Sequence, residues 1–248
     1  MSIFTEEFNI LELYTKQMNI YGDTGNSQIL KKRMELYSLK SNILHYNIGD
    51  VFPTKVDIIV SGGGQDSSQM RVAEDLLSIK DHLKLHALNS TPMLVVCGMY
   101  QLFGNYFETS TGEKISGLSI LDAHTVAQDK RLIGNVIASS NAFGTLVGYE
   151  NHSGQTTLVA KATALAEQVS LGYGNDATSQ TEGIIYKNVI GTYLHGPVLS
   201  KNPKLADYLI NCAVTKRMGY EVQLTSNSVA KLDELVEQAR KVAQKLRR

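Results

Sequence analysis

The sequence predicts an α/β fold, with a mostly parallel sheet flanked by helices and antiparallel strands in its second half. Three observations predict it. Strand-like and helix-like segments alternate as far as Phe103, the pattern of a parallel sheet with helices on its faces. The strongest strand candidates there are short apolar runs, as expected of strands covered on both faces. From about Gly112 to His195 the texture changes to β-like segments separated by turn residues, which reads as antiparallel pairing.

The elements follow in chain order. Phe8 to Tyr14 alternates loosely and reads as the first strand. Tyr21-Gly22-Asp23-Thr24-Gly25-Asn26 is a loop by composition. Ile29, Leu30, Met34, Leu36 and Tyr37 then mix with charged residues as on an amphipathic helix. Ile43–Ile48 and Val56–Val60 are the next strands, and the second of them runs directly into Ser61-Gly62-Gly63-Gly64. Gln65-Asp66-Ser67-Ser68 opens a helix whose stripe is Val72, Leu76, Leu77, Ile79, Leu83 and Leu85. Met93–Val96 is a buried strand, and Met99–Phe103 the start of a helix. Leu132–Ala138, Thr145–Tyr149, Thr157–Val159, Gly183–Lys187 and Val189–Leu194 are the β-like segments of the second half. Pro203–Met218 reads as a helix. Val229–Leu246 reads as another, with Lys241, Lys245, Arg247 and Arg248 at the end where the helix dipole favours cations. No repeat or linker is evident, so residues 1–248 read as one domain, with a core of about 8–220 and a C-terminal helix of about 227–246.

Composition excludes some classes. The 248 residues carry 24 basic and 24 acidic side chains, a formal charge of zero. Nothing in that balance suggests binding to nucleic acid or to a bulk anionic membrane. No apolar run approaches the ~18 residues of a membrane span, and no signal peptide is recognisable, so an integral membrane protein is not expected. Cys97 and Cys212 are the only cysteines. They form no disulfide framework, and reduced thiols in the cytoplasm are the expectation.

The chemistry centres on Cys97. The run Met93-Leu94-Val95-Val96 ends abruptly in Cys97-Gly98, and a helix follows. That strand-to-helix elbow exposes a side chain at the carboxyl edge of the sheet, where α/β folds place ligands. A helix N-terminus also favours thiolate over thiol. Two readings stand at this point: a nucleophile, or an inert buried thiol, since free cysteine is among the most buried residue types.

A nucleophilic cysteine needs a base and an oxyanion hole. Of the six histidines, His82 and His86 fall on a charged helix, His45 lies in a strand, and His124 has no supporting context. His195 ends the apolar strand Ile190–Leu194 and precedes Gly196-Pro197, a strand-to-loop position like that of Cys97, and is the preferred base. His152, in the polar stretch Gly148-Tyr149-Glu150-Asn151-His152-Ser153-Gly154, competes with it as a pocket-lining residue. Gly62–Gly64, with the first amides after Cys97, could supply an oxyanion hole, or could be a flexible turn. No Walker-type lysine follows these glycines, and the cysteines and histidines lack zinc-ligand spacing, so no metal is expected.

Taken together, Ser61–Gly64, Val96-Cys97-Gly98-Met99-Tyr100-Gln101 and Tyr193-Leu194-His195-Gly196-Pro197 resemble the class I glutamine amidotransferases. The Gly148–Gly154 stretch narrows the resemblance to the cobyric-acid-synthase-like branch. Tyr21–Asn26 and Gly172-Tyr173-Gly174-Asn175 narrow it to glutaminase subunits of lipid II isoglutaminyl synthases. The resemblance covers about residues 8 to 220.

It implies a flavodoxin-like amidotransferase fold in which Cys97 attacks the side-chain amide of L-glutamine, forms a γ-glutamyl thioester and releases ammonia. It makes His195 the proton carrier and Gly63, Gly64 and Gly98 the oxyanion donors. It assigns Arg131 to the glutamine carboxylate, as a guanidinium fork suits, and puts Gln101, Glu150, Asn151 and His152 with it in the substrate-binding set. It implies a separate Mur-ligase-like subunit, forming a heterodimer, that uses the ammonia to amidate the D-glutamate of lipid II. ATP and magnesium would belong to that partner, with no cofactor in this chain.

Two features depart from the wider pattern. Most class I amidotransferases carry His-x-Glu, whereas Gly196-Pro197 follow His195 here, so the acid behind the histidine must come from elsewhere in this chain or from the partner. Asp23, with Glu150 and Asn151, is placed at the active-site rim or in a structural turn. Met99 stands where the family's elbow usually has glycine, and a crowded turn is expected there. From the residues alone two other classes stay open: a free-standing cysteine amidohydrolase on the same fold, and a non-catalytic subunit that only supports a partner.

Overall fold

The computed structural model describes residues 7–159 and 161–245, so Leu246, Arg247 and Arg248 of the expected basic helix end lie outside the described residues. The elements in chain order are β1 (Phe8–Leu13), α1 (Gly25–Leu36), β2 (Ser41–Tyr46), β3 (Ile58–Ser61), α2 (Asp66–Ser78), α3 (Lys80–Leu88), β4 (Met93–Val96) and α4 (Gly98–Phe103). Then come β5 (Tyr106–Glu108), β6 (Lys114–Ser116), β7 (Ala123–Ser140), β8 (Gly144–Leu158), β9 (Gln168–Leu171), β10 (Ile184–Tyr186) and β11 (Val189–Thr192). The helices α5 (Val198–Lys201), α6 (Pro203–Met218) and α7 (Asn227–Ala243) follow.

The main sheet has the order β10-β11-β4-β3-β1-β2, and only the edge strand β10 runs antiparallel to its neighbour. The three central strands β11, β4 and β3 are buried at every residue. That explains their unbroken apolar sequences, because helices cover both faces and no position alternates towards water. The expected helix from Asp66 to Leu85 is two helices that meet at Ile79, which leaves the helical region at φ −99°, ψ 9°.

Helix α6 begins with Pro203, whose missing N–H costs nothing in a first turn, and ends at Gly219 in the left-handed conformation, φ 77°. Helix α7 buries only Val229 completely. It is fastened by Arg33 of α1, a buried guanidinium that donates to Asp207 of α6 (2.9 and 2.6 Å) and to Asp233 of α7 (2.6 and 3.2 Å).

The second sheet, β6-β5-β7-β8 with β9 on the free side of β7, departs from the expected row of short strands. Its main feature is one long hairpin, β7–β8, which absorbs Leu132–Ala138, Thr145–Tyr149 and most of Thr157–Val159. Glu150, Asn151 and His152, read as a polar loop, lie inside β8. Their burial alternates (buried, intermediate, buried), as strand residues with one covered face do. The polar side chains disguised a strand whose covered face is itself polar. The hairpin packs onto the main sheet through an isolated antiparallel bridge between Tyr149 and His195. Val136, Ala138 and Leu146 share a buried cluster with Leu194 and Leu199. Among the described residues no helix is long and apolar enough to cross a membrane.

Candidate active site

Cys97 follows the last residue of the central strand β4 and caps α4. Its amide donates to Thr192 O at 2.8 Å, so the parallel ladder to β11 continues to the elbow itself. The backbone then turns at φ 53°, ψ −112°, a conformation an L-residue reaches only under constraint. The side chain is 6% exposed.

The crowding expected at Met99 is found one residue earlier. A Cβ on Gly98 would stand 3.0 Å from Met18 Cε and 3.1 Å from Gln69 Cδ, so only glycine fits there without displacement. Met99 lies within α4 and outside the positive-φ residues, and its side chain is wholly buried in the core cluster. A methionine is therefore compatible with this elbow.

His195 stands three residues past β11. Its backbone is clamped on both sides by Tyr149: His195 N donates to Tyr149 O (2.8 Å) and Tyr149 N to His195 O (3.3 Å). The ring is buried under Tyr21, with centroids 4.4 Å apart. Nδ1 lies 3.0 Å from Asp23 Oδ2 and 3.2 Å from Oδ1. An ionised carboxylate only accepts, so the proton sits on Nδ1 and the other nitrogen is turned elsewhere. Nε2 is buried and, among the described residues, has no partner at full hydrogen-bond geometry. Burial disfavours charge on this ring. The negative sulfur of Cys97 and the hydrogen bond to Asp23 outweigh it and push the pKa up to about 10.

The acid absent after His195 is thus in this chain. Asp23 is 1% exposed and comes from the loop before α1, 172 residues away in sequence. The rim position expected of it is corrected: it lies beneath the histidine. No spacing rule could have found it, because only the adjacency of β1, β3, β4 and β11 brings that loop to His195.

Gly63 also changes role. Its N–H donates to Asp23 Oδ2 at 3.0 Å, so it is committed to the acid and does not serve as an oxyanion donor. What this position needs is the lack of a side chain. A Cβ there would lie 2.9 Å from Cys97 Cβ and 3.0 Å from His195 Cε1. Gly64 does line the cleft beside Cys97. Gly98 contributes the first amide of α4, which has no acceptor within the helix.

The cleft has a volume of about 370 Å³ and runs from the elbow to the β7–β8 hairpin. Arg131, Asn151, His152 and Gln101 line it with Cys97. Pairing between β7 and β8 slips between Ala127 and Leu132, so Gln128–Arg131 face the single residue Ser153. That bulge pushes Arg131 out of the ladder and over the cleft. Arg131 Nε donates to Asn151 Oδ1 at 2.6 Å. On the floor, Gln69 Nε2 donates to Gln101 Oε1 (2.6 Å) and Gln101 Nε2 to the Tyr193 hydroxyl (3.1 Å). Gln69 also lines the cleft and was not anticipated, because one glutamine on a polar helix start carries no signal.

His152 stacks on Tyr193, with ring centroids 3.6 Å apart and planes within 6°. Its Nδ1 bonds the Gly154 carbonyl at 2.6 Å. Glu150 is outside the cleft lining, which corrects its assignment to the substrate. Its two oxygens accept from Tyr173 N (3.0 Å) and Gly174 N (2.8 Å), so it holds the Gly172–Asn175 turn. Among the described residues no group of three or more His, Cys, Asp or Glu is placed to hold a metal ion.

Comparisons with known proteins bear on this geometry. The model of the CobB/CobQ-like glutamine amidotransferase domain matches residues 9–203. The chain is 37% identical to the lipid II isoglutaminyl synthase (glutamine-hydrolyzing) subunit GatD of Staphylococcus aureus, over 85% of this chain and 86% of that protein. It is also 37% identical to the GatD subunit of Streptococcus pneumoniae, over 88% of this chain and 85% of that one. A solved glutamine amidotransferase from Thermotoga maritima, 14% identical, has the same fold at a TM-score of 0.54 over 96% of this chain and 94% of its own.

Proposed function

Because the chain belongs to the CobB/CobQ-like glutamine amidotransferase family, we propose that it is the glutamine-hydrolysing subunit of a lipid II isoglutaminyl synthase, with Cys97, His195 and Asp23 as its catalytic set. One observation carries the residue assignment. The thiol and the imidazole flank Gly63 at adjacent strand ends, and a buried carboxylate fixes the imidazole tautomer.

The steps follow from that arrangement. Arg131 binds the α-carboxylate of glutamine, and the side-chain amide reaches Cys97. The thiolate adds to the amide carbon. The Gly64 and Gly98 amides receive the negative oxygen, a contribution of about 3 kcal/mol per donor. His195 delivers its Nε2 proton to the amide nitrogen, the C–N bond breaks, and ammonia leaves a γ-glutamyl thioester. Water then adds to the thioester as His195 takes its proton. The thiolate leaves with glutamate free, so that glutamine and water become glutamate and ammonia. Asp23 keeps the Nδ1 proton in place throughout.

The ammonia is consumed by a Mur-ligase-like partner that binds ATP and magnesium and converts the D-glutamate of lipid II to D-isoglutamine. The two relatives named as subunits of such synthases, each matched over most of its length, support this reading. The test has two stages. Glutamine alone should yield glutamate and ammonia, and Cys97→Ala should lower that rate by at least about 10⁴-fold. Undiminished hydrolysis in the variant would remove the nucleophile assignment. Copurification with the ligase, followed by glutamine- and ATP-dependent amidation of lipid II, tests the partner and substrate.

A further inference from the structure

Behind His195 lies a second buried carboxyl that the steps above do not use. Glu182 is fully buried. Its Oε1 accepts from Thr192 Oγ1 at 2.9 Å and from Tyr193 N at 2.7 Å. Thr192 Oγ1 accepts in turn from Leu194 N at 3.0 Å. The last residue of β11, Thr192, and the two residues between it and His195 are therefore tied to this one side chain. The backbone of Glu182 is itself fixed by a two-way bridge to Ala166, at 2.9 and 3.0 Å. Its Oε2 is buried with no hydrogen-bond partner among the described residues.

A carboxyl held in that state is costly, since an unsatisfied buried polar atom loses about 1–3 kcal/mol. A neutral side chain bonding Tyr193 N would serve a purely structural turn better. We propose that Glu182 is a positioning residue for His195: it fixes the Thr192–Leu194 exit of β11 and so sets where the imidazole meets Cys97. Asp23 orients the ring, whereas Glu182 orients the backbone that carries it.

The surroundings make this control sensitive to protonation. Burial pushes the Glu182 carboxyl up to about 7, although the bonds from Tyr193 and Thr192 oppose the shift. Glu150 of β8 raises it further and His195 lowers it. Tyr100 of α4 also feels its charge. Below the carboxyl's pKa it is neutral and accepts weakly. Above it the ionised oxygen accepts more strongly, so the exit is held most firmly on the alkaline side of pH 7.

The inference rests on the assignment of Cys97 and His195, and its test keeps the two separate. In the full-length protein with its ligase partner, the readouts are kcat and KM for glutamine and the pH dependence of Cys97 alkylation, followed on the Cys97 peptide by mass spectrometry. Glu182→Ala should lower kcat by about 10²-fold, the cost of a misplacement near 1 Å, with KM little changed. Glu182→Gln keeps an acceptor for Tyr193 N. It should recover most of that loss and abolish the inflection near pH 7 expected of the unaltered protein. If Glu182→Ala does not fold, the Gln variant's pH profile decides alone. An unchanged inflection in Glu182→Gln, or a folded Glu182→Ala with unchanged kcat, would overturn the proposal. If the unaltered protein fails to hydrolyse glutamine, or Cys97→Ala retains full activity, it is the catalytic assignment that fails.

Discussion

The carboxyl edge of the main sheet and the β7–β8 hairpin build opposite walls of one cleft, by different rules. On the sheet side Cys97 lines the cleft, with His195 and Asp23 outside its lining; all three are almost fully buried, and each sits just beyond a strand end or in the loop that follows one. Parallel strands place such positions side by side automatically, so regular pairing alone assembles the chemistry. On the hairpin side, regular pairing would keep Arg131 in the ladder. A break in register between Ala127 and Leu132 brings it over the cleft, where it remains exposed. On the proposed function, reaction belongs to the buried wall and recognition to the irregular, exposed one. Damage to the first should therefore fall on kcat, and damage to the second on KM.

The sharpest way to break this division is at Asp23. Asp23→Asn keeps the shape but can present an amide N–H to Nδ1, which favours the wrong tautomer. A fall in kcat of about 10³-fold is expected, with KM nearly unchanged. The pH profile adds a second reading. His195 is held protonated until the pH rises through about 10, so the unaltered enzyme should lose activity on its alkaline side near there. Asp23 is one of the groups that raise this value, so its removal should move the alkaline limb to lower pH. A limb that stays in place would separate Asp23 from the histidine's protonation.

A smaller effect is expected at Gly63, where the sheet wall has no spare room. Gly63→Ala inserts a methyl between Cys97 and His195, and a kcat lowered by about 10²-fold is the expected outcome. Steady-state kinetics checks it, with circular dichroism to show that the fold persists. A variant with normal kcat would mean that thiol and imidazole need not approach across this glycine.

The hairpin wall should respond less, and differently. Arg131→Ala removes one charge-assisted contact, worth about 1.5–3 kcal/mol, so KM should rise by about 10- to 100-fold while kcat holds. Asn151→Ala only frees the guanidinium it steadies, and a rise in KM of about fivefold is expected, from a neutral-strength hydrogen bond of about 1 kcal/mol. Initial-rate measurements over a range of glutamine concentrations would reveal the split. A fall in kcat as large as the rise in KM would show that the two walls are not separate in function.

The contrast also marks what could be read from the chain. Helix α6 matches its expected span at both ends, because a proline and a glycine punctuate it. The elbow at Cys97 was legible because an apolar run cannot continue through Cys97-Gly98 as a covered strand. The hairpin was less legible. Its buried face carries Glu150 and His152, whose partners are the Tyr173 and Gly174 amides and the Gly154 carbonyl. A buried carboxylate whose partners are backbone amides 23 and 24 residues away looks, in sequence, like part of a loop.

By itself the sequence determined the parallel sheet, the elbow and the two strand-end residues Cys97 and His195, all of which follow from local runs of side chains and the turns that end them. Only the tertiary structure decided that Asp23 pairs with His195, that Gly63 provides space where a donor was expected, and that Glu150 braces a turn outside the cleft. The physical reason is that a carboxylate or an amide takes its role from whichever group the packed chain brings within about 3 Å. That adjacency is set by the strand order β11-β4-β3-β1, and no spacing along the chain encodes it.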